Sequence, residues 1–275
     1  MLQKTFSIYG DDLNNCVLFF EAGRRHIACL CKDAESNTVK AFELFQFDTI
    51  ADEEYEKILD EVRLFSKLMM PDYKTVHIIL EEKEALCVPA EFYNDESAEG
   101  LLNIMFGEAK EKDIYTQRLG DKIILSRAIG AKIIAITKYF PGADQVHKFY
   151  AMLKEYTANK NLTAANEVCV VFYPDHILLM AWKENNLQII RSADYQTPED
   201  VLYMILNVCE QYGMPVHDTK VNISGMVDKQ SNLYRTLYQY LRGLEIHEPD
   251  ESNFSAEGFK EYPLHFFTPF VRLIV

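Results

Sequence analysis

A short segment near the N-terminus combines residue types that bind phosphate. Four residues that follow an apolar run carry this chemistry: Glu21, Gly23, Arg24 and Arg25. The backbone N–H groups of such a turn can cradle a phosphate, and its carboxylate can hold the water ligands of a metal ion. Guanidinium groups add charge that complements phosphate oxygens. The alternative is a plain hairpin turn, in which Gly23 supplies a positive φ and both arginines are exposed.

A second segment, 172–176 (FYPDH), occupies a related place in the chain but lacks most of these features. It offers the carboxylate of Asp175 and contains no glycine. Pro174 has no N–H, so the turn loses a donor where a phosphate needs one. This segment therefore predicts a degenerate phosphate-binding turn. Phosphoryl transfer depends on groups that position the phosphates and the nucleophile, and this sequence does not supply the full set.

The histidines and cysteines show no metal-site spacing. The seven histidines are scattered and the six cysteines form no C-x-x-C pair, so we predict no metal site and expect buried, reduced thiols. The sequence contains no Walker-type, G-x-G-x-x-G or G-x-S-x-G motif. His147, which follows the segment Phe140-Pro141-Gly142, is a candidate cleft residue. The alternative is a histidine that forms a hydrogen bond where a helix packs.

The elements that must position these residues occur twice in the same order: two strands joined by a turn, a third strand, a helix and a fourth strand. In the first part they span 16–32, 39–47, 52–69 and 75–80. In the second part they span 169–183, 187–193, 197–212 and 219–225. We align 16–20 (CVLFF) with 169–173 (CVVFY) and Lys32 with Lys183, with a turn that is two residues shorter. This correspondence predicts an internal duplication.

Three strands, a crossover helix and a fourth strand form the ribonuclease-H-like unit. Two such units in tandem, with mixed five-stranded sheets flanked by helices, resemble the actin and hexokinase superfamily. The resemblance implies an α/β fold with a cleft between the units that holds Mg-ATP, and Ser224-Gly225 is similar to the turn that contacts adenosine there. We expect a first domain at 1–157, with an inserted segment at 84–140, and a second at 158–275.

Three further segments resemble a bacterial family of uncharacterised proteins with an actin-like ATPase fold. They are 86–93 (LCVPAEFY), 139–143 (YFPGA) followed by His147 on the next helix (143–156), and 263–267 (PLHFF). The family has no assigned catalytic residue, so none is implied here. The layout is also similar to the cytoplasmic actin-like subunits of pilus and type II secretion machines, which act mainly as docking platforms.

The charge balance narrows the classes of partner. The sequence has 28 basic and 42 acidic residues, a net charge of −14. Such a surface repels nucleic acids and anionic lipids. The sequence shows neither a signal peptide nor an apolar run long enough to span a membrane, so we expect a cytoplasmic protein that does not insert in membranes.

Two surface features complete the expectations. The acidic run 81–84 is expected to be solvated surface or the start of a helix. The amphipathic helix that contains Tyr234, Tyr238 and Tyr240 is expected to face the core, and the alternative is that its tyrosine-rich stripe forms a partner surface. The leading hypothesis is a non-catalytic interaction or scaffold module that binds another protein. The alternative is a nucleotide-binding protein or ATP-dependent phosphotransferase that uses Glu21, Arg24 and Arg25 at the cleft.

Overall fold

A computed structural model describes residues 1–48, 54–70, 73–109, 112–159, 164–174 and 176–273. The chain divides into two compact units. The first comprises Met1–Lys154, Asp250–Tyr262 and Leu273–Val275, and the second comprises Glu155–Pro249 and Pro263–Arg272. The predicted domains 1–157 and 158–275 stay a prediction. No helix among the described residues is both long and apolar enough to cross a bilayer.

The first unit is built on a mixed six-stranded sheet. Its strands are β1 (Gln3–Tyr9), β2 (Cys16–Ala22), β3 (His26–Asp33), β4 (Val39–Gln46), β5 (Val76–Leu80) and β9 (Asp144–His147). Their order is β1-β4-β3-β2-β5-β9, with β2, β5 and β9 parallel to one another and the other neighbours antiparallel. The central strands are almost wholly buried, which is the environment that their continuous apolar runs require.

Helices and a second sheet complete the first unit. Helix α1 (Tyr55–Phe65) buries Tyr55, Ile58, Leu59 and Val62, the one-face spacing of an amphipathic helix. A three-stranded antiparallel sheet, in the order β6-β8-β7, follows β5 in the chain. The elements between β5 and β9 are β6 (Ala85–Pro89), α2 (Ala98–Phe106), β7 (Lys112–Leu119), β8 (Lys122–Ile129) and α3 (Gly130–Tyr139). Helix α4 (Lys148–Asn159) follows β9.

The second unit is built on a mixed five-stranded sheet in the order β12-β11-β10-β13-β14. Its strands are β10 (Asn166–Phe172), β11 (His176–Lys183), β12 (Asn186–Asp194), β13 (Lys220–Gly225) and β14 (Leu244–Ile246). Its helices are α5 (Pro198–Gln211), α6 (Asn232–Tyr240) and α7 (Thr268–Val271). The start of α5 follows the Thr-Pro-Glu-Asp sequence, because Thr197 and Asp200 form a reciprocal capping box there.

The two sheets share one topology. The order β4-β3-β2-β5-β9 of the first sheet matches β12-β11-β10-β13-β14 of the second, with the same parallel and antiparallel neighbours. This agreement confirms the predicted fold class of mixed sheets flanked by helices. The first sheet has six strands instead of five because β1 adds to its edge. The duplication that would explain the match stays a prediction.

The hairpin register corrects the predicted alignment of the two units. Ala22 pairs with Ile27, and Phe172 pairs with Ile177. Each turn is closed by the same hydrogen bond, from Gly23 N–H to the His26 carbonyl and from Tyr173 N–H to the His176 carbonyl, both 2.9 Å. The turns are therefore equal in length, and the predicted two-residue shortening is wrong. Gly23 corresponds to Tyr173, and His26 corresponds to His176.

Two local expectations are also corrected. The helix predicted over 143–156 begins at Lys148, because residues 144–147 pair with β5 as strand β9, so His147 ends a strand and does not lie on a helix. On α6 only Leu237 is buried, while Tyr238 and Tyr240 are 64% and 60% exposed. A helix in which tyrosines and leucines are interspersed does not show from its sequence which of these side chains are buried.

Candidate functional site

The carboxyl ends of the parallel strands β2, β5 and β9 lie side by side in the first sheet. Ligands of open α/β sheets bind at such an edge. Five polar residues lie at these three strand ends and define what we call the first-unit edge: Glu21, Glu81, Glu82, His147 and Lys148. The sequence prediction included only Glu21 and His147 of this group.

Both carboxylate oxygens of Glu21 are bound within the unit. Oε1 lies 2.9 Å from His26 Nε2, and Oε2 accepts a hydrogen bond of 2.5 Å from Lys148 Nζ. Glu21 is 2% exposed, and the Lys148 side chain is wholly buried. Burial by itself raises the pKa of Glu21, but the charge of Lys148 and the hydrogen bond to His26 outweigh burial and lower it. Glu21 is therefore a buried carboxylate held by its own neighbours.

Position 23 requires glycine because there is no room for a side chain, and not because its φ is positive. Its φ is not among the positive values of the described residues. A Cβ added to Gly23 would lie 2.1 Å from Cε1 of the His26 ring, so any side chain would displace the imidazole that binds Glu21. The Gly23 N–H already donates to the His26 carbonyl. The plain-turn interpretation was therefore wrong about the role of this glycine.

The two arginines of the turn differ in exposure. Arg24 is half-buried, and its Nε lies 3.8 Å from Oε2 of Glu81, which is 1% exposed. Arg25 is exposed. The structure therefore brings Glu21, Gly23, Arg24 and His147 together at one edge and leaves Arg25 at the surface.

Glu81 and Glu82 correct the expectation that the acidic run is solvated. Both are buried, and Lys132 Nζ donates to Glu82 Oε1 at 2.7 Å and to the Ala22 carbonyl at 3.1 Å. Burial raises the pKa of Glu82 despite the opposing charge of Lys132. Their position in the sequence could have identified them as site residues, because they directly follow a buried parallel strand and binding residues are common at the carboxyl ends of such strands.

His147 is locked by hydrogen bonds as a neutral ring. Its Nδ1 accepts from the Phe149 N–H at 3.0 Å, so Nε2 carries the proton and donates to the Glu82 carbonyl at 3.2 Å. Burial lowers the pKa of His147 to about 4. This arrangement agrees with a packing histidine, although it lies at a strand end and not in a helix interface.

The corresponding edge of the second unit, at the ends of β10, β13 and β14, is aromatic. The Tyr173 ring stacks on His176 with centroids 4.5 Å apart and meets Phe270 edge-on at 6.0 Å. Ser224 is buried at the end of β13, and Gly225 has a φ of +84° with Phe172 O only 2.3 Å from where a Cβ would lie. The predicted Asp175 lies outside the described residues.

The polar groups of the first-unit edge that could bind Mg²⁺ and phosphate are not available in this arrangement. Both oxygens of Glu21 and the N–H of Gly23 are bound within the unit. Over the described part of the chain, no three His, Cys, Asp or Glu side chains cluster so that they could hold a metal ion. Mg-ATP binding by this turn would first require these internal contacts to break.

Comparison with known proteins defines the class as the actin-like ATPase fold. A protein of that fold and unknown function from Bacteroides thetaiotaomicron matches with a TM-score of 0.74 and 15% identity, over 85% of this chain and 91% of that one. The chain belongs to the family described as Protein of unknown function (DUF3822), which residues 3–244 match. This result confirms the family resemblance.

A structure described as the PilM-PilN type IV pilus biogenesis complex is also similar. It matches with a TM-score of 0.63 and 12% identity, over 93% of this chain and 96% of that chain. No curated protein matches the sequence. At these identities, the similarity establishes the fold alone.

Proposed function

We propose that this protein is a non-catalytic member of the actin-like fold that acts as an interaction or scaffold module for another protein. The observation that carries the proposal is that both carboxylate oxygens of Glu21 already have partners inside the unit. The carboxylate that a phosphate-binding turn would use is held by Lys148 and His26 on both of its oxygens.

The energetic reason is the burial of this ion pair. Separating Glu21 from Lys148 leaves a buried charge without its partner, which typically costs about 3–5 kcal/mol. A metal ion that recruited Glu21 would have to offset that loss. The two charges of the pair thus compensate each other inside the unit, and the stability of the fold depends on keeping both.

The second unit supports the same conclusion independently. At the position of Gly23 it has Tyr173, whose ring is packed between His176 and Phe270. The next residue is Pro174, which has no N–H to donate. The second turn therefore has little with which to bind a phosphate.

Partner binding is supported by two observations. One similar fold occurs in a structure described as a complex, PilM-PilN. In the present chain, Phe92, Ile104 and Met105 are all exposed on the segment that follows β5, which contains the three-stranded sheet. Exposed apolar side chains in one region are typical of surfaces that bind proteins.

The proposal is tested by purifying the full chain by affinity from its host and by assaying ATP hydrolysis with the same preparation. We expect a protein partner in a constant molar ratio, retained equally with and without Mg-ATP, and no hydrolysis above that of a mock preparation. Several turnovers per minute, abolished by Glu21→Gln, would contradict the proposal. Capture that requires Mg-ATP would contradict it as well.

A further inference from the structure

A strand covers one edge of the first sheet, whereas no described strand covers the corresponding edge of the second. Strand β1 pairs antiparallel with residues 41–46 of β4. The same edge accepts further backbone hydrogen bonds beyond β1. Gly10 N–H donates to the Lys40 carbonyl at 2.8 Å, and Ser255 N–H donates to the Val39 carbonyl at 3.0 Å. The outer side of β4 is therefore paired along most of its length.

Strand β12 forms the corresponding edge of the second sheet. Over the described parts of the chain, no strand pairs with its outer side, and no backbone hydrogen bond reaches it from outside the β11–β12 hairpin. The Asn186 carbonyl accepts a hydrogen bond of 3.0 Å from the Gln188 side chain, which belongs to the same strand. Because β12 has nine residues, it presents a row of N–H and C=O groups to which another strand can be added.

The two edge strands match position by position. The residue paired with the histidine that follows the turn is Gln46 in the first sheet and Asp194 in the second. Both ladders then have a register shift after the sixth residue of the inner strand. Glu43 of β4 therefore corresponds to Arg191 of β12. The register shift does not prevent the addition of a strand, because β4 has the same shift and is paired with β1.

The occupied edge is matched to its strand by charge. Glu43 is wholly buried, and its Oε1 accepts a hydrogen bond of 2.7 Å from Lys4 Nζ of β1. The Tyr9 hydroxyl, also in β1, donates to the same oxygen. An acidic residue of the edge strand thus binds a basic residue of the strand that covers it. At the corresponding position of the second sheet, Arg191 reverses the charge.

Arg191 offers this charge at the surface. Its side chain is exposed, and no carboxylate of the described residues forms an ion pair with it. Asp194, the acidic residue of β12, lies three positions along the strand and therefore on the other face of the sheet. On its own face of β12, Arg191 has no acidic neighbour within the strand. A strand that covered β12 would complement it with a carboxylate.

We infer that the outer edge of β12 binds an extended segment of a partner protein, which pairs antiparallel and places a carboxylate beside Arg191. The segment alternates apolar and polar residues as β1 does, in which Phe6 and Ile8 are buried. A second copy of the chain fits less well, because two chains that each carry a net charge of −14 repel each other. The assignment rests on the proposed function only in taking the natural occupant to be a protein.

The probe is a labelled peptide of residues 3–9 that carries Lys4→Glu, which turns the sequence of β1 into an acidic strand. Fluorescence anisotropy with the full chain should show saturable binding to one site. Arg191→Glu should weaken that binding by about fivefold, the size expected for an exposed pair of charges across two strands. The same variant should bind the unaltered peptide of residues 3–9 more tightly than the wild type does.

Two controls separate strand addition from general attraction. Arg235→Glu reverses an exposed charge on α6 and should leave binding unchanged, since α6 is not part of the β12 edge. N-methylation of alternate residues of the peptide, made in two sets, should abolish binding for one set alone. An added strand directs every second N–H at its neighbour, so only one set blocks the ladder.

The inference is overturned if the altered peptide binds no better than a scrambled peptide of the same composition, if Arg235→Glu weakens binding as much as Arg191→Glu, or if both N-methylated sets bind. Light scattering of the free chain should give a monomer. A dimer that the peptide dissociates would assign the edge to a second copy and overturn the inference as well. None of these measurements involves ATP, so the proposed function is decided separately by affinity purification and the hydrolysis assay.

Discussion

The two units have the same strand topology but place different types of residue at the corresponding sheet edge. In the first unit, His26 binds a buried carboxylate, Glu21, which is also paired with Lys148. In the second unit, the corresponding His176 stacks on the ring of Tyr173. Strand order determines which residues meet at the edge of a sheet, but the residue types alone decide whether the edge is an ion network or an aromatic cluster.

This difference has an energetic consequence. A buried ion pair contributes little net stability compared with a well-packed apolar pair, but removal of one partner is expensive. An aromatic cluster instead loses stability in proportion to the volume removed. The two edges should therefore respond differently to substitution.

The largest effect is expected for Lys148→Met in the first unit. This change leaves Glu21 buried without its cation, so the free energy of unfolding should fall by about 3–5 kcal/mol. Urea unfolding followed by circular dichroism measures the loss, and hydrogen exchange at the amides of β2 and β5 locates it. The double variant Glu21→Leu/Lys148→Met should recover most of the stability. A loss below about 1 kcal/mol in the single variant would show that the pair is solvated.

The aromatic edge should respond to volume and not to charge. Tyr173→Ala removes a ring that is almost fully buried and should lower the free energy of unfolding by about 3 kcal/mol. Tyr173→Phe keeps the ring and should cost far less. Trp182, the single tryptophan, lies in β11 of the second unit, so its fluorescence during denaturation reports on this region. Equal losses in the two variants would assign the stability to the hydroxyl group.

Acid should weaken the first unit through His147. Its folded pKa is about 4, lowered from 6.5 by burial, so the unfolded chain binds more protons between these values. The stability from the neutral ring is complete above about pH 6.5 and is lost as the pH falls through about 4. From pH 7 to pH 5 the loss is roughly 2 kcal/mol. The Cε1–H resonance of His147, followed by NMR over pH 3–8, checks this value.

In the second unit His247, just after β14, is a partial counterpart. Burial, followed by the charges of Arg272 and Lys220, lowers its pKa to about 4. His247 is more exposed than His147, so its contribution to acid sensitivity should be smaller. His147→Gln should therefore remove more of the pH dependence than His247→Gln does. The reverse order would mean that the first-unit edge admits water.

The smallest expected difference lies at the starts of the crossover helices. Helix α5 begins with the Thr197–Asp200 capping box, whereas Glu54 makes no side-chain cap for α1. Thr197→Ala should cost about 1 kcal/mol, and Glu54→Ala should cost close to nothing. Thermal unfolding of both variants measures the difference. Equal effects would show that the box adds nothing to the second unit.

The regular part of the fold could be predicted from local sequence. The start of α5 could be predicted because Thr197, Pro198 and the acidic residues after them are typical of a helix N-terminus. Strand β1 was missed, because its charged and polar residues hide a half-buried pattern, and β9 was missed because four residues are too few to show a period.

The site was less predictable, because its contacts join distant parts of the chain. Glu21 and Lys148 are 127 residues apart, and Glu82 and Lys132 are 50 apart. A run of acidic residues is usually solvated, and local sequence contains no sign that Arg24 and Lys132 lie beside Glu81 and Glu82, both of which are buried. Gly23 could be assigned a special role from sequence, but the ring that needs its space becomes visible only in the folded turn.

The most direct test of the account is calorimetric titration of the full chain with Mg-ATP. Because Glu21 is held by Lys148 and His26, we expect no saturable heat and no shift of the unfolding temperature at millimolar nucleotide. A bound nucleotide at 100 times its Kd would stabilise the protein by about 2.7 kcal/mol. Stabilisation of that size, removed by Glu21→Gln, would contradict the claim that the first-unit edge is closed by its own charges.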